Sequence, residues 1–175
     1  MEMKTMLWAT LTANGNYAQS GPDNPPKQEA LEDFAAQARA AGNFIVGRRT
    51  FEGMLASGGG GAFGELDIVV VSSGNPDLPG VKVAASPKEA LRYLRERGHR
   101  AALLSGGAEL HNAFLGQGLV DELVFVIAPT LEGKGLRLLT DTDKYKHQEA
   151  RLLDFKALGN GVLRLRYGIP GSEQA

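Results

Sequence analysis

Two short segments of the 175-residue chain set glycines between an apolar run and an amphipathic one. Gly47-Arg48-Arg49-Thr50 follows Phe44-Ile45-Val46, and Ser105-Gly106-Gly107-Ala108 follows Ala101 to Leu104. A turn at the carboxyl end of a strand that opens a helix presents unpaired N–H groups and the positive end of the helix dipole, which suits a pyrophosphate. Two such turns in one small sheet, the first with adjacent arginines, can bind a diphosphate and an additional phosphate on a dinucleotide. Neither has the G-x-G-x-x-G form, so an ordinary Rossmann domain is not expected. Turns that only pack a helix onto a sheet look the same, and spacing alone does not separate the two readings.

Other chemistry-bearing residues read more plainly. His99, His111 and His147 contain no i, i+4 pair, and a metal site needs three or four converging ligands, so none is expected. Asp121 and Glu122 directly precede an apolar run and read as a strand entry rather than an acid pair. Trp8 shares a strand face with Thr10 and Thr12 by the period of two, so it lines either the core or a cleft. Glu52 serves equally as a first-turn helix acid or a ligand contact. Gly58 to Gly61 lead into a strand and not a helix, and read as a flexible connector.

The elements that must position these residues follow from periodicity. Residues 3–12 read as a strand leading to Asn14-Gly15-Asn16, and Gln19 to Pro26 as a loop that no helix crosses. Leu31, Phe34, Ala35 and Ala38 form a helical stripe ending near Ala41-Gly42. A strand at 44–46 runs into the first glycine turn and a helix from Phe51 to Ala56, and another strand spans Asp67 to Ser72. Ser86-Pro87-Lys88-Glu89 is a capping box with Pro at the first helical position. Ala101 to Leu104 form a strand before the second glycine turn and a helix carrying Leu110, Phe114 and Leu115. Leu123 to Ala128 are apolar enough to be buried on both faces. Residues 149–157 and 162–169 alternate around Gly159-Asn160-Gly161 as a hairpin. The expected fold is three-layer α/β/α, with a sheet mostly parallel and antiparallel at its C-terminal edge. One domain over 1–170 and a frayed tail over 171–175 are expected.

Composition narrows the partners. Nineteen Lys+Arg against twenty Asp+Glu give a formal charge of −1, so nothing collects nucleic acid or an anionic membrane. With no cysteine, there is no disulfide framework and no thiolate site, which permits a cytoplasmic setting. The first residues are apolar for too short a run to span a bilayer and lack a cleavage site, so neither export nor an anchor is expected. The apolar C-terminal hairpin ends the sheet and predicts a homodimer.

The chain resembles the dihydrofolate reductase-like fold from about Met6 to Tyr167. The resemblance lies in Gly47-Arg48-Arg49-Thr50-Phe51-Glu52, in Val70-Val71-Ser72-Ser73 at a strand end, and in Gly106-Gly107-Ala108. Within that fold, Gly118-Leu119-Val120-Asp121-Glu122-Leu123 and the P-x-x-x-G-x-G segment Pro129 to Gly135 are similar to the reductase domain of the bifunctional riboflavin-biosynthesis deaminase-reductase and its stand-alone relatives. The resemblance implies a 5-amino-6-(5-phosphoribosylamino)uracil reductase-like enzyme with NADPH as hydride donor. Gly47, Arg48, Arg49 and Thr50 would hold its phosphates, Ser72 and Ser73 would border the adenosine end, and Ser105, Gly106, Gly107 and Ala108 would meet the diphosphate. Planar guanidinium donors suit a 2′-phosphate.

Departures bear on the substrate. A folate reductase would carry a carboxylate four residues before Phe34, where this chain has Ala30. Glu29 and Asp33 fall on other faces, and only a one-residue shift would let Glu29 compensate. The riboflavin-pathway Ser-Leu-Asp-Gly-like turn is matched by Thr12, Ala13, Asn14 and Gly15, and Ser105 stands where those enzymes have glutamate. Trp8, Thr12 and Asn14 are the expected substrate contacts, with Asn14 or a water assisting protonation. The alternatives are a dihydrofolate reductase and a dinucleotide-binding protein without turnover.

Overall fold

The computed structural model describes residues 2–58, 63–138, 145 and 147–171. Along the chain these form β1 (Lys4–Thr12), α1 (Gln28–Ala41), β2 (Asn43–Gly47), α2 (Arg48–Ala56), β3 (Asp67–Val71) and β4 (Lys82–Ala84). There follow α3 (Pro87–Glu96), β5 (Ala101–Gly106), α4 (Ala108–Gly116), β6 (Glu122–Ala128), β7 (Arg151–Gly159) and β8 (Val162–Gly168). Most of the expected connector at Gly58 to Gly61 and, apart from Gly171, the expected frayed tail lie outside the described residues.

The sheet has the order β4-β3-β2-β5-β1-β6-β8-β7. It is parallel from β4 to β6, and β8 runs antiparallel to both its neighbours. From β1 the chain steps outward through β2, β3 and β4, returns at β5 and crosses β1 to reach β6. Right-handed crossovers made in opposite directions put their helices on opposite faces. Accordingly Ala30, Phe34 and Ala38 of α1 and Phe51 of α2 pack with Met6 and Trp8. Leu94 of α3 and Leu110 and Phe114 of α4 pack on the other face with Leu7, Ala9 and Leu11. The alternation of β1 thus serves both layers.

Several local expectations are met by specific bonds. The Ser86 hydroxyl accepts the Glu89 N–H at 3.2 Å, while the Glu89 carboxylate accepts the Ala85 N–H at 3.0 Å, one residue before the helix cap. Gly42, at φ 76°, ends α1 in the left-handed region. The hairpin turns at Asn160 and Gly161, with φ of 52° and 80°. That is the two-residue turn an Asn-Gly pair favours.

Other expectations are corrected. The Arg48-Arg49 segment is not a loop: α2 begins at Arg48, directly after β2. A strand not read from the sequence, β4, is three residues long, too short to show alternation. β6 alternates buried and half-buried positions, because α4 lies over β2 and β5 and covers this face of β6 only in part. In α1 the buried stripe is Ala30, Asp33, Phe34, Ala38 and Ala41, and Leu31 is 48% exposed. The stripe is rotated because Asp33 is the best-tethered residue of the helix: its carboxylate accepts the Trp8 indole N–H at 2.9 Å and pairs with Arg164 of β8 at 2.9 Å. Asn160 donates to Glu29 at 2.5 Å and Arg166 to Gln37 at 3.3 Å. Glu29, Asp33 and Gln37 recur every four residues, so one line along α1 clamps the β8 hairpin.

Candidate functional site

A cleft of ≈ 310 Å³ opens at the carboxyl ends of the central strands. Open α/β sheets place ligands there, where the strand order reverses. Trp8 and Thr10 of β1 form part of its floor, the 19–26 loop and the start of α1 (Lys27, Ala30) one wall, and Thr50, Gly106 and His111 the other. No carboxylate lines it among the described residues. A shallower groove of ≈ 540 Å³ over α3, lined by Lys88, Arg92 and Arg95, involves neither glycine turn.

The two glycine turns do converge, because β2 and β5 are neighbours in the sheet. A Cβ on Gly47 would lie 3.6 Å from the Gly106 carbonyl oxygen and the Gly107 nitrogen, and one on Gly107 would lie 3.2 Å from the Thr50 hydroxyl. Gly106 has φ 134°, which L side chains rarely adopt, and the Gly106–Gly107 peptide is cis. Neither α2 nor α4 has a side-chain hydrogen bond capping its N-terminus. Their first N–H groups are therefore free for an anion. Arg48 and Arg49 lie exposed on the first turn of α2, with Arg48 bonded at 2.9 Å to Glu52, four residues on. Arg48 also approaches the end of β3, where a Cβ on Gly74 would lie 3.8 Å from its guanidinium and 3.9 Å from the Ser72 hydroxyl. Ser72 is buried and its hydroxyl accepts the Gly74 N–H at 3.3 Å, while Ser73 is exposed. Ser105 lines the cleft, and its buried hydroxyl has no hydrogen-bond partner. Uncapped helix ends, close glycine backbone and arginines beside them fit a dinucleotide phosphate chain.

The expected substrate contacts divide. Trp8 lines the cleft. Thr12 and Asn14 do not, and the reading of Asn14 as the catalytic group is corrected: its amide donates to the Glu132 carbonyl at 2.7 Å and accepts from Thr12 at 2.7 Å and from the Glu132 N–H at 3.2 Å. Asn14 fastens the 129–136 segment beneath the 12–19 turn. Gly135 lies close against Asn16, whose side chain would have to shift for a Cβ, 2.7 Å from its amide nitrogen. Asp121 and Glu122 are structural, as read. The Asp121 carboxylate accepts the Thr5 N–H at 2.7 Å, and Glu122 pairs with Lys4 at 2.7 Å and Arg166 at 3.3 Å, at the end of β6 opposite the cleft. His99 bonds Asp67 at 2.7 Å, and Arg97 holds the Asp67 carboxyl below its ordinary range.

Tyr17 and His111 were not expected in the site. The Tyr17 hydroxyl is hydrogen-bonded to His111 Nδ1, and the rings stack with centroids 5.7 Å apart. Burial pushes the His111 imidazole down to about 4, the Leu104 carbonyl opposing weakly, and pushes the Tyr17 phenol up. Both groups are thus neutral near pH 7. A lone mid-helix histidine and a loop tyrosine carry no shared signal, although both line the cleft.

Residues 64–164 match the model of the RibD C-terminal domain family. A curated riboflavin biosynthesis protein RibD of Corynebacterium ammoniagenes is 32% identical over 117 residues, covering 67% of this chain and 30% of that protein. The chain therefore spans about a third of that relative's length. Among solved structures, a putative riboflavin biosynthesis protein of Shewanella sp. PV-4 aligns with TM-score 0.75 and 17% identity over 95% of this chain and 99% of that one. A pyrimidine reductase-like protein of Corynebacterium diphtheriae aligns with TM-score 0.72 and 18% identity over 95% and 92% of the respective chains. At such identities these two show the shared fold.

Proposed function

We propose, on the premise that the chain belongs to the RibD C-terminal domain family, that it is a cytoplasmic, homodimeric NADPH-dependent reductase of a pyrimidine-type heterocycle or its ribose conjugate. The observation that carries this reading is the convergence of two uncapped helix N-termini and close glycine backbone at one end of a cleft. Gly47, Thr50, Gly106, Gly107 and Ala108 would meet the cofactor's phosphates, Ser105 would add its free hydroxyl, and Ser72 and Ser73 would border the adenosine. Arg48 and Arg49 would take the 2′-phosphate. Bound nicotinamide supplies a hydride. The chain's own part is to orient the substrate over Trp8 and to exclude water; none of the described acids lines the cleft.

Folate reduction fits less well. Ala30 faces the cleft where the pterin-binding carboxylate would stand, and the two nearby acids are occupied: Glu29 by Asn160, Asp33 by Trp8 and Arg164. The missing acid also favours, as a second reading, a dinucleotide-binding protein without turnover. No described helix is long and apolar enough to cross a membrane.

Calorimetric titration tests the cofactor end. NADPH is expected to bind at least roughly tenfold more tightly than NADH, since charge-assisted contacts are worth on the order of 1.5–3 kcal/mol each. Gly107→Val is expected to abolish binding while the fold persists, because φ of −91° admits any residue and Thr50 need move only slightly. A folded variant with undiminished affinity would make the turn a packing device.

A further inference from the structure

We propose that Asp33 is a positioning residue for the cleft, holding the Trp8 indole at its floor through a carboxylate that Arg164 of the β8 hairpin holds in turn; this rests on the reductase reading above. Trp8 lines the cleft, and Asp33 does not. The direction of each bond is fixed by chemistry, since an indole N–H and a guanidinium only donate and a carboxylate only accepts. Trp8 Nε1 donates to Asp33 Oδ2 at 2.9 Å, and Arg164 Nη1 donates to Asp33 Oδ1 at 2.9 Å. Each oxygen serves one strand.

The tether crosses the sheet. β6 lies between β1 and β8, with Val126 opposite Thr10 on one side and Arg164 on the other, so Asp33 on α1 bridges over it. Trp8 is 9% exposed, and its ring also meets that of Phe34, the next residue of α1, with centroids 5.1 Å apart. An indole held by its N–H and by its ring has little freedom left. Its one donor is spent inside the protein, so what it offers a ligand is a ring face or edge and no hydrogen bond. A planar ligand laid against that ring takes its angle from it, and small misplacements of a reacting group are costly.

Arg164 completes the device. Its Nε is buried without a partner, and among the described residues Asp33 is the carboxylate with which it pairs. Removing its charge leaves the buried Asp33 carboxylate uncompensated, and the indole with it. Two acceptor oxygens are needed for the two donors. Asparagine supplies one, so Asp33→Asn must release Trp8 or Arg164, whereas Asp33→Glu keeps both acceptors.

Trp8 is the single tryptophan, so proton NMR gives one indole N–H signal to follow. That signal is expected to exchange slowly with water in wild type, and to move and exchange faster in Asp33→Asn and in Arg164→Met, although Arg164 makes no bond to Trp8. In steady-state NADPH oxidation with 5-amino-6-(5-phosphoribosylamino)uracil, Asp33→Asn is expected to lose roughly tenfold in kcat/KM with NADPH affinity unchanged, and Asp33→Glu to recover part of the loss. In a Trp8→Phe background, which keeps a ring and has no N–H, Asp33→Asn is expected to cost nothing further; a carboxylate with a structural role alone would cost the same in both backgrounds. Arg164→Met keeps the carboxylate and carries the same readouts should Asp33→Asn not fold. An indole signal unmoved by the variants, an undiminished kcat/KM, or equal losses with and without the Trp8 N–H would overturn the proposal. Absence of turnover in wild type would overturn the reductase reading instead, and the indole signal, read without turnover, would still decide for or against the tether.

Discussion

In the proposed reading Arg48 and Arg49 would take a cofactor's extra phosphate, and among the described residues only Arg48 has an ion-pair partner. The Arg48–Glu52 pair is half exposed on both sides and is worth little, so it does not withhold the guanidinium from a ligand. Arg48→Ala with Arg49→Ala is expected to lower NADPH affinity at least roughly tenfold and leave NADH binding nearly unchanged, by calorimetry. Equal loss for both cofactors would place the arginines elsewhere than on the 2′-phosphate. His111 makes a second prediction. It is buried neutral with its pKa down at about 4, against 6.5 for a free imidazole. As pH falls from about 6.5 to 4 the unfolded chain takes up a proton that the folded one refuses, so stability is full above that window and declines through it. The loss is on the order of 3 kcal/mol at most. Urea denaturation at stepped pH is expected to show this decline and His111→Gln to flatten it; an unchanged slope in the variant would refute the assignment. The glycine turns were legible because glycine and arginine beside a strand end declare themselves within four residues. The Tyr17–His111 contact was not, because it is made by the tertiary fold alone.

At the scale of elements, α1 binds the sheet through a polar line as well as an apolar one. Periodicity found the helix and its end at Gly42 but set its face one residue off, at Leu31. Apolar spacing has no means of knowing that Asp33 is buried, since a buried carboxylate is tolerated only when it is paired, and its partner Arg164 lies 131 residues away. Asp33→Ala leaves Arg164 without its partner and the Trp8 indole without an acceptor. The expected cost is about 3 kcal/mol, at the low end for a broken buried pair because the Arg164 side chain is 19% exposed. Trp8 is the chain's single tryptophan, so the same variant should shift its fluorescence to the red. Wild-type stability and an unmoved emission maximum would show that the clamp contributes nothing. Asn14 teaches the same lesson in reverse: a turn residue that looked free in sequence is consumed by the backbone of Glu132.

At the scale of the whole molecule, the hairpin that ends the sheet exposes several large apolar side chains together. β7 is an edge strand carrying Leu152, Leu153 and Phe155, the last 68% exposed. Such an edge invites pairing with a symmetry mate. Light scattering is expected to report a dimer, and Phe155→Lys a species of 18.6 kDa; a wild-type monomer across the micromolar range would exclude the assembly. The three layers and the mostly parallel sheet with its antiparallel edge were legible from strands alternating with helices and closed by a hairpin, whereas the strand order was not read from the sequence. The substrate was not, because among the described residues no carboxylate lines the cleft to announce it. Steady-state NADPH oxidation with 5-amino-6-(5-phosphoribosylamino)uracil, run beside dihydrofolate, is therefore the most direct test. Turnover is expected with the aminopyrimidine, and with dihydrofolate at least roughly a hundredfold below the enzyme median of about 10 per second. Ordinary rates with dihydrofolate, or no oxidation with either compound, would contradict the account.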